Sequence, residues 1–309
     1  MKYVLITSAR NEAEFVGLTL AAVAAQTQRP ERWIITDDGS SDNTGDVVAS
    51  FAEQHPWITL VRNPKREGRN FAAKANAVNA ALARLQAENI SFDVLGNLDA
   101  DVSFEPDYME FLMRKFAADP KLGVAGTPFT QEGGYDSTRD SFEGENFVAG
   151  PIQLFCRECF AEIGGYVASP AGGVDWIAVM TAKMKGWTAR SFAEKRFHHY
   201  RLMGTAEKSP VNSLFHYGQK DYYLGGSPIW QLFRVTYRLV KKPYFIGGLA
   251  LLAGYVWAAM KRVKRPISSE LVRYNRAEQM FKLKNIFRSM LRLKKVDNFR
   301  VAGAPAKTN

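Results

Sequence analysis

The sequence predicts an α/β fold over about the first 200 residues, followed by a helical region. Strand-length apolar runs alternate with amphipathic stretches as far as residue 130, and strand signals vanish after residue 200. This alternation predicts a mostly parallel, doubly wound sheet with right-handed crossovers. Ligands of such sheets lie at the carboxyl ends of the strands, so the residues that follow each apolar run are candidates for function.

Four apolar runs in the first 100 residues have the length of strands and are bounded by polar residues. These strands are predicted at Tyr3–Thr7, Trp33–Thr36, Ile58–Val61 and Val94–Leu98. The stretches between them carry apolar residues at helical spacing, and the second begins after the capping candidates Ser41 and Asp42. These helices are predicted at Phe15–Gln26, Thr44–Gln54 and Phe71–Gln86.

The pattern becomes mixed between residues 130 and 200, where two strands and two helices are predicted. They are the strands Pro151–Cys156 and Thr188–Phe192 and the helices Arg157–Ile163 and Val174–Lys185. Beyond residue 200 the pattern is helical, basic and aromatic. Helices are predicted there at Ile229–Val240, Tyr244–Met260 and Ser268–Leu293.

The composition is that of an ordinary globular protein, with 46% hydrophobic and 23% charged residues. It excludes disordered, collagen-like and disulfide-stapled chains. The cysteines Cys156 and Cys159 have CxxC spacing, but no second Cys/His pair follows at zinc-site distance, so we expect two structural thiols. The first apolar run is too short for the core of a signal peptide, so we expect the N-terminus to stay in the cytoplasm.

Charge is distributed unevenly, with a net −6 in residues 1–200 and +16 in residues 201–309. Such a tail indicates a polyanionic partner, either nucleic acid or an anionic membrane leaflet. Its basic residues flank the 17 uncharged residues of Tyr244–Met260 and are interleaved with aromatic residues, which suits a bilayer interface. We therefore expect an anionic membrane surface and no nucleic acid as partner.

The length of that uncharged segment decides how it would meet a membrane. Seventeen residues lie at the lower limit for a span, which needs about 20. We expect an interfacial or re-entrant helical hairpin rather than a true span. The alternative is a C-terminal helix buried within a soluble protein.

Two acidic clusters follow predicted strands. Asp37 and Asp38 begin the sequence DDGSSD, where carboxylates can accept hydrogen bonds from a nucleobase or ribose; an ordinary turn and helix cap is the alternative. Asp99 and Asp101 point to the same side of an extended chain and can converge on one divalent cation. Their hard oxygen ligands suit Mg²⁺ or Mn²⁺, which could bridge a diphosphate; a solvated acidic loop is the alternative.

The order of these motifs resembles the family 2 glycosyltransferases of the GT-A fold. Arg10-Asn11-Glu12 follows the first strand, DDGS the second, Lys74-Ala75-Asn76-Ala77-Val78-Asn79 lies on a helix, and LDAD ends the fourth strand. Further on, QLFCRECFAEIGGY (153–166) resembles the family's R-R-x-x-F and G-G-[FY] segment, and GGVDW (172–176) stands in the place of its E-D motif. The resemblance covers roughly residues 1–200.

This resemblance implies a GT-A-like doubly wound mixed sheet, with nucleotide-sugar binding over about 1–130 and the acceptor side over about 131–200. It implies that Asp38 reads the base, that Asp99 contacts the ribose side, and that Asp101, with Asp99, holds Mg²⁺ or Mn²⁺. The residues implied to lie near the nucleotide sugar are Thr7, Ala9, Glu12, Asp37, Asp38, Arg69, Lys74 and Asp99.

The resemblance further implies that Asp175 is the general base that deprotonates the acceptor hydroxyl. The sequence departs from the family at the preceding position, where Val174 replaces the usual Glu. The alternative for Asp175 is an N-cap of the helix that begins there. The Q-x-x-R-W motif of processive polysaccharide synthases is absent from the sequence, so we do not expect a processive polymerase.

The segment His198-His199-Tyr200-Arg201 follows the last predicted strand. His199 could reach the metal if the fold returns this segment to it, and Arg201 could hold the diphosphate bidentately. The alternative is that these polar residues are simply exposed to solvent, or that a histidine lies in the core and bonds to backbone.

The sequence thus predicts a membrane-associated glycosyltransferase on the cytoplasmic face of the cell's inner membrane. It would move a sugar from a nucleoside diphosphate sugar to a hydroxyl of a membrane-linked saccharide or glycolipid, in cell-surface polysaccharide synthesis. The resemblance implies inversion at the anomeric carbon. Three alternatives stay open: a polyprenyl-phosphate glycosyltransferase, a non-catalytic membrane scaffold of the same fold, and a nucleotidyltransferase, whose G-x-G-T-R loop the sequence lacks after its first strand.

Overall fold

The computed structural model describes residues 1–65, 72–140, 144–169, 172–201 and 209–291. These residues form two compact units. One comprises 1–169 with 174–201, and the other comprises 209–291 with 172–173.

The described residues contain ten strands and eleven α-helices. The strands are β1 (Tyr3–Ala9), β2 (Arg32–Asp37), β3 (Ile58–Arg62), β4 (Val94–Leu98), β5 (Val102–Phe104), β6 (Leu122–Gly126), β7 (Phe129–Gln131), β8 (Ile152–Cys156), β9 (Thr188–Ser191) and β10 (Phe197–His199). The helices are α1 (Val16–Ala24), α2 (Thr44–Glu53), α3 (Ala73–Ala87), α4 (Tyr108–Ala118), α5 (Ser137–Asp140), α6 (Arg157–Glu162), α7 (Val174–Met184), α8 (Pro210–Tyr223), α9 (Pro228–Leu239), α10 (Ile246–Met260) and α11 (Ser269–Leu291).

A seven-stranded sheet with the order β3-β2-β1-β4-β8-β6-β9 forms the centre of the first unit. Strand β8 runs antiparallel to both neighbours, and the other adjacent pairs are parallel. This confirms the predicted α/β class and its doubly wound mixed sheet. The residues Tyr3, Val4, Leu5 and Ile6 of β1 are all fully buried, as expected of a parallel strand that is covered on both faces.

A second sheet, with the order β5-β10-β7, was not predicted from the sequence. Each of its strands has three residues, which is too short to give a period-two pattern. His198 and His199 therefore lie within a strand, β10, rather than in a loop after one. The helix α4 and the strand β6 were also absent from the prediction.

The second unit consists of the helices α8, α9, α10 and α11. Three of them match the predicted segments to within two residues at each end, and α8 was not predicted. Within the described ranges, each helix falls short of the length or the apolarity that crossing a membrane requires.

Candidate active site

The carboxyl ends of β1, β2 and β4 lie side by side at one edge of the large sheet. Strand β1 pairs with β2 on one side and with β4 on the other, so the chain winds away from β1 in both directions. A crevice at such a reversal is the usual ligand site of an open α/β sheet. The acidic sequences that begin at Asp37 and Asp99 follow two of these strands, which explains why residues far apart in sequence share this edge.

Asp99, Asp101 and His199 form a cluster whose possible ligand atoms all lie within 4.8 Å of one another. Asp101 and His199 are buried, and Nε2 of His199 lies 3.2 Å from Oδ2 of Asp101. Strand pairing produces this contact, because His199 stands opposite Val102 in the antiparallel β5–β10 pair. Two carboxylates and one imidazole suit Mn²⁺, and the oxygen ligands also suit Mg²⁺, so these residues fit the metal that the sequence implied.

Gln131 holds the other side of His199. Its amide nitrogen lies 2.6 Å from Nδ1 of His199 and donates a second hydrogen bond, of 2.8 Å, to the carbonyl oxygen of Arg201. These contacts fix the plane of the His199 ring and hold Nε2 toward Asp101. Sequence reasoning missed Gln131, because 68 residues separate it from His199 and only the β7–β10 pairing joins them.

Lys74 adds a positive charge beside the cluster. Its Nζ lies 2.6 Å from Oδ1 of Asp99 and donates a 3.3 Å hydrogen bond to the carbonyl oxygen of Gly150. Burial on its own would lower the pKa of Lys74, but the negative charges of Asp99 and then Asp175 outweigh it and raise that pKa above its ordinary value. The ammonium group therefore stays protonated in the crevice.

Asp175 lies in the first turn of α7, on the same side of the molecule as Lys74. Its carboxylate occupies the space above Gly150, where a β-carbon would overlap Oδ2 of Asp175. Gln153 donates a 3.4 Å hydrogen bond to the backbone carbonyl of Asp175 and accepts a 2.6 Å bond from the hydroxyl of Tyr166. Burial and then the charge of Asp175 raise the pKa of Tyr166, so this phenol stays neutral beside the carboxylate.

Several residues predicted to lie near the nucleotide form hydrogen bonds with other residues of the chain. Thr7 accepts a 2.9 Å hydrogen bond from the indole of Trp33, and the carbonyl oxygen of Ala9 accepts a 2.8 Å bond from the backbone N–H of Asp38. The carboxylates that follow are buried and bonded: Asp37 accepts from the Ser40 N–H at 2.9 Å, and Asp38 accepts from Asn63 at 3.4 Å. Arg69 lies outside the described residues.

Glu12 and Arg201 form an ion pair with 2.7 Å between Oε2 and the guanidinium. Arg201 also donates a 2.9 Å hydrogen bond to the carbonyl oxygen of Asn11. Burial and then the negative charge of Asp101 raise the pKa of Glu12 to about 7, and Arg201 offsets only part of this. The carboxylates of Glu12, Asp101 and Asp99 therefore repel one another, and a bound cation would reduce that repulsion.

Comparison with known proteins gives a family match that covers about half of the chain. The model of glycosyl transferase family 2 matches residues 4–161. The poly-β-1,6-N-acetyl-D-glucosamine synthase of Staphylococcus aureus (strain COL) is 34% identical over 119 residues, which cover 38% of this chain and 26% of that relative. The synthase of Staphylococcus epidermidis is 32% identical over 119 residues, with the same coverage. The match spans about a quarter of the length of these curated relatives.

Solved structures match over more of the chain at lower identity. The mannosyltransferase PcManGT from Pyrobaculum calidifontis, in complex with GDP-Man and Mn²⁺, has a TM-score of 0.57 and 18% identity, over 85% of this chain and 88% of that chain. Residues 1–349 of TarS from S. aureus, in complex with UDP-GlcNAc, have a TM-score of 0.57 and 15% identity, over 97% and 90%. At this identity the likeness concerns the fold alone, and it confirms the GT-A-like architecture.

Proposed function

The chain belongs to glycosyl transferase family 2, and we propose that it transfers one sugar from a nucleoside diphosphate sugar to a hydroxyl of a membrane-linked saccharide or glycolipid. The observation that carries the proposal is the Asp99–Asp101–His199 cluster beside Lys74, at the carboxyl edge of the sheet. A candidate cation site and a fixed ammonium group at this edge support the binding of a diphosphate there.

The donor side divides into a base end and a diphosphate end. Asp38 would accept hydrogen bonds from the base, with Asp37, Thr7 and Ala9 forming the wall beside it. Glu12, Arg69, Lys74 and Asp99 would lie along the ribose and diphosphate, and Arg201 would contact the diphosphate after leaving Glu12. Asp99, Asp101 and His199 would hold Mg²⁺ or Mn²⁺, which supplies positive charge for the departing diphosphate.

Asp175 would act on the acceptor. Its carboxylate takes the proton of the attacking hydroxyl while the new glycosidic bond forms and the bond from the anomeric carbon to the diphosphate breaks. A single displacement of this kind inverts the anomeric centre. A positioned general base contributes about 10²–10⁴-fold, because a sugar hydroxyl is a weak nucleophile at neutral pH.

The proposal also covers where the protein lies in the cell and the pathway in which it acts. The +16 tail supports association with an anionic membrane surface, at the cytoplasmic face of the inner membrane. The names of the curated relatives, which make poly-β-1,6-N-acetyl-D-glucosamine, support a place in cell-surface polysaccharide synthesis. A polyprenyl phosphate is the second candidate acceptor. Its phosphate is already ionised, so it could attack the sugar without a general base.

The donor is tested by a thermal-shift screen of nucleoside diphosphates with and without Mn²⁺. A ligand that binds only the folded protein raises its melting temperature. Asp101→Asn should abolish the Mn²⁺-dependent part of the shift, because an amide is a poorer ligand for a hard dication. A shift with the same Mn²⁺ dependence in this variant would remove Asp101 from the metal site.

The reaction is tested by product analysis and by one variant. Release of a nucleoside diphosphate with transfer of the sugar supports the transferase. Release of pyrophosphate from a nucleoside triphosphate indicates a nucleotidyltransferase, and binding without turnover indicates a scaffold. Asp175→Asn should keep donor binding and melting temperature while kcat falls steeply. Near-normal transfer by this variant would contradict the role of Asp175 and favour the polyprenyl-phosphate acceptor.

A further inference from the structure

Helix α10 is apolar around its whole circumference, with no charged residue among its 15 residues. A helix of this kind is normally buried on all sides. Among the described residues, the helices α8 and α9 cover one side of α10. The distribution of small and large residues between its two sides indicates what the uncovered side contacts.

The covered side carries small residues that allow close backbone approach. A β-carbon on Gly254 would overlap the carbonyl oxygen of Phe215 on α8, and one on Gly248 would lie 2.7 Å from Leu239 on α9. The reverse contact has the same form, because a β-carbon on Gly218 of α8 would overlap the carbonyl oxygen of Leu251. Small residues are typical of the contacts between helices in membranes.

The uncovered side carries five large apolar residues and one alanine. These residues recur every three or four positions, which is one helical turn. They therefore form a single row along about 22 Å of helix. We call this row the outer stripe, and its members are Ile246, Leu249, Ala253, Val256, Trp257 and Met260. Leu249 is 59% exposed and Met260 is 79% exposed. An exposed apolar row of this kind stands where a helix that faces water carries polar residues.

Basic residues stand at both ends of the outer stripe. Lys241 and Lys242 precede α10, and Lys261, Arg262 and Lys264 follow it, and all five are exposed. The exposed aromatic residues Tyr244 and Phe245 lie between the first pair and the helix. Lysine and arginine with long apolar stems, next to aromatic rings, suit the headgroup level of an anionic bilayer. This charge complementarity favours a lipid surface over a second copy of the chain, which would bring like charges together.

We propose that the outer stripe inserts into one leaflet of an anionic bilayer, with α10 lying in the plane of the membrane and its flanking basic residues at the headgroups. This inference rests on the proposed membrane association and assigns it to one face of one helix. It also gives the depth, because a helix in the interface plane buries its apolar face by about 5–10 Å.

The test is flotation of the full-length protein with vesicles of phosphatidylglycerol and phosphatidylcholine. The double variant Leu249→Ser with Val256→Ser removes two members of the outer stripe. The matched control is Leu18→Ser with Val167→Ser, which changes the same residue types at exposed positions of the other unit. We expect the stripe variant to partition at least about tenfold more weakly than the control, since each side chain loses its apolar transfer.

Depth is measured by quenching of tryptophan fluorescence with lipids brominated at different chain positions. Shallow bromines should quench more strongly than deep ones, and Trp257→Phe should remove most of that quenching while binding persists. This measurement does not depend on the folding of the serine variants. Stronger quenching by the deepest bromines would overturn the in-plane arrangement.

The outcomes separate this inference from the proposed function. If the wild-type protein ignores anionic vesicles, the proposed membrane association fails and this inference fails with it. If the wild type floats and the stripe variant floats equally well, only the assignment to α10 is overturned. If the wild type is a dimer without vesicles and the stripe variant is a monomer by light scattering, a second copy covers the stripe and the lipid assignment is wrong.

Discussion

At the scale of single residues, the charge on Glu12 predicts how stability depends on pH in the metal-free protein. Its pKa is raised to about 7, so between about pH 4.5 and 7 the folded protein retains a proton that the unfolded chain has released. Stability should therefore fall as pH rises through this window. Glu12→Gln carries no charge at any pH, so its melting temperature should rise relative to wild type as the pH increases from 4.5 to 8.

Calorimetry at several pH values measures this difference, with Glu14→Gln at an exposed neighbouring position as the control for the loss of one negative charge. Saturating Mn²⁺ should shrink the difference, because a cation near Asp101 removes part of the repulsion that raises the pKa of Glu12. A difference that stays constant from pH 4.5 to 8 would contradict the placement of Glu12 beside Asp101.

Gly150 is a second residue with a specific expected effect. Its φ lies outside the left-handed region, so alanine can adopt the backbone conformation, and the nearest obstacle is the side chain of Asp175. Gly150→Ala should displace that carboxylate and lower kcat by about 10–10²-fold, with donor binding unchanged. The same substitution in an Asp175→Asn background should lower kcat little further, because the displaced side chain no longer acts as a base. An equal loss in both backgrounds would mean that Gly150 acts independently of Asp175.

At the scale of elements, the packing of α8 on α10 depends on glycine. A β-carbon on Gly218 meets backbone atoms, which cannot move aside as a flexible side chain does. We expect Gly218→Ala to destabilise the protein by about 1–3 kcal/mol in urea unfolding, in spite of the higher helix propensity of alanine. Gly17→Ala in α1 is the control for the replacement of glycine itself, since a β-carbon there meets nothing within 4 Å and should not destabilise the unit that contains it.

The sequence predicted those helices, strands and residue pairs whose signal lies within one short segment of the chain. Asp99 and Asp101 were identifiable as a pair because two positions along an extended chain place them on the same side. Gln131 and Gly150 were not, since their roles depend on pairing and packing between segments far apart in sequence. The helix α8 was missed because its aliphatic residues are few, and because its contact with α10 through Gly218 depends on packing between separate segments.

At the scale of the whole molecule, the candidate site and the outer stripe belong to different compact units. The site residues lie within 1–169 and 174–201, and α10 lies within 209–291. The uneven charge follows nearly the same division, because residues 1–200 carry a net −6 and residues 201–309 a net +16. The proposed donor binding and the proposed membrane attachment therefore fall in different units, and substitutions in one unit should leave the function proposed for the other intact.

This separation predicts where a bound nucleotide stabilises the chain. At about 100 times its Kd, the nucleoside diphosphate with the largest thermal shift should stabilise the unit that binds it by about 2.7 kcal/mol. The slowest amides of β1 and β4 should then exchange up to about 100-fold more slowly in the presence of Mn²⁺, while those of α8 and α10 keep their rates. Hydrogen exchange read out by mass spectrometry measures both groups in one sample. Equal slowing in α10 would show that the two units unfold as one, and no slowing in β1 or β4 would place the nucleotide elsewhere.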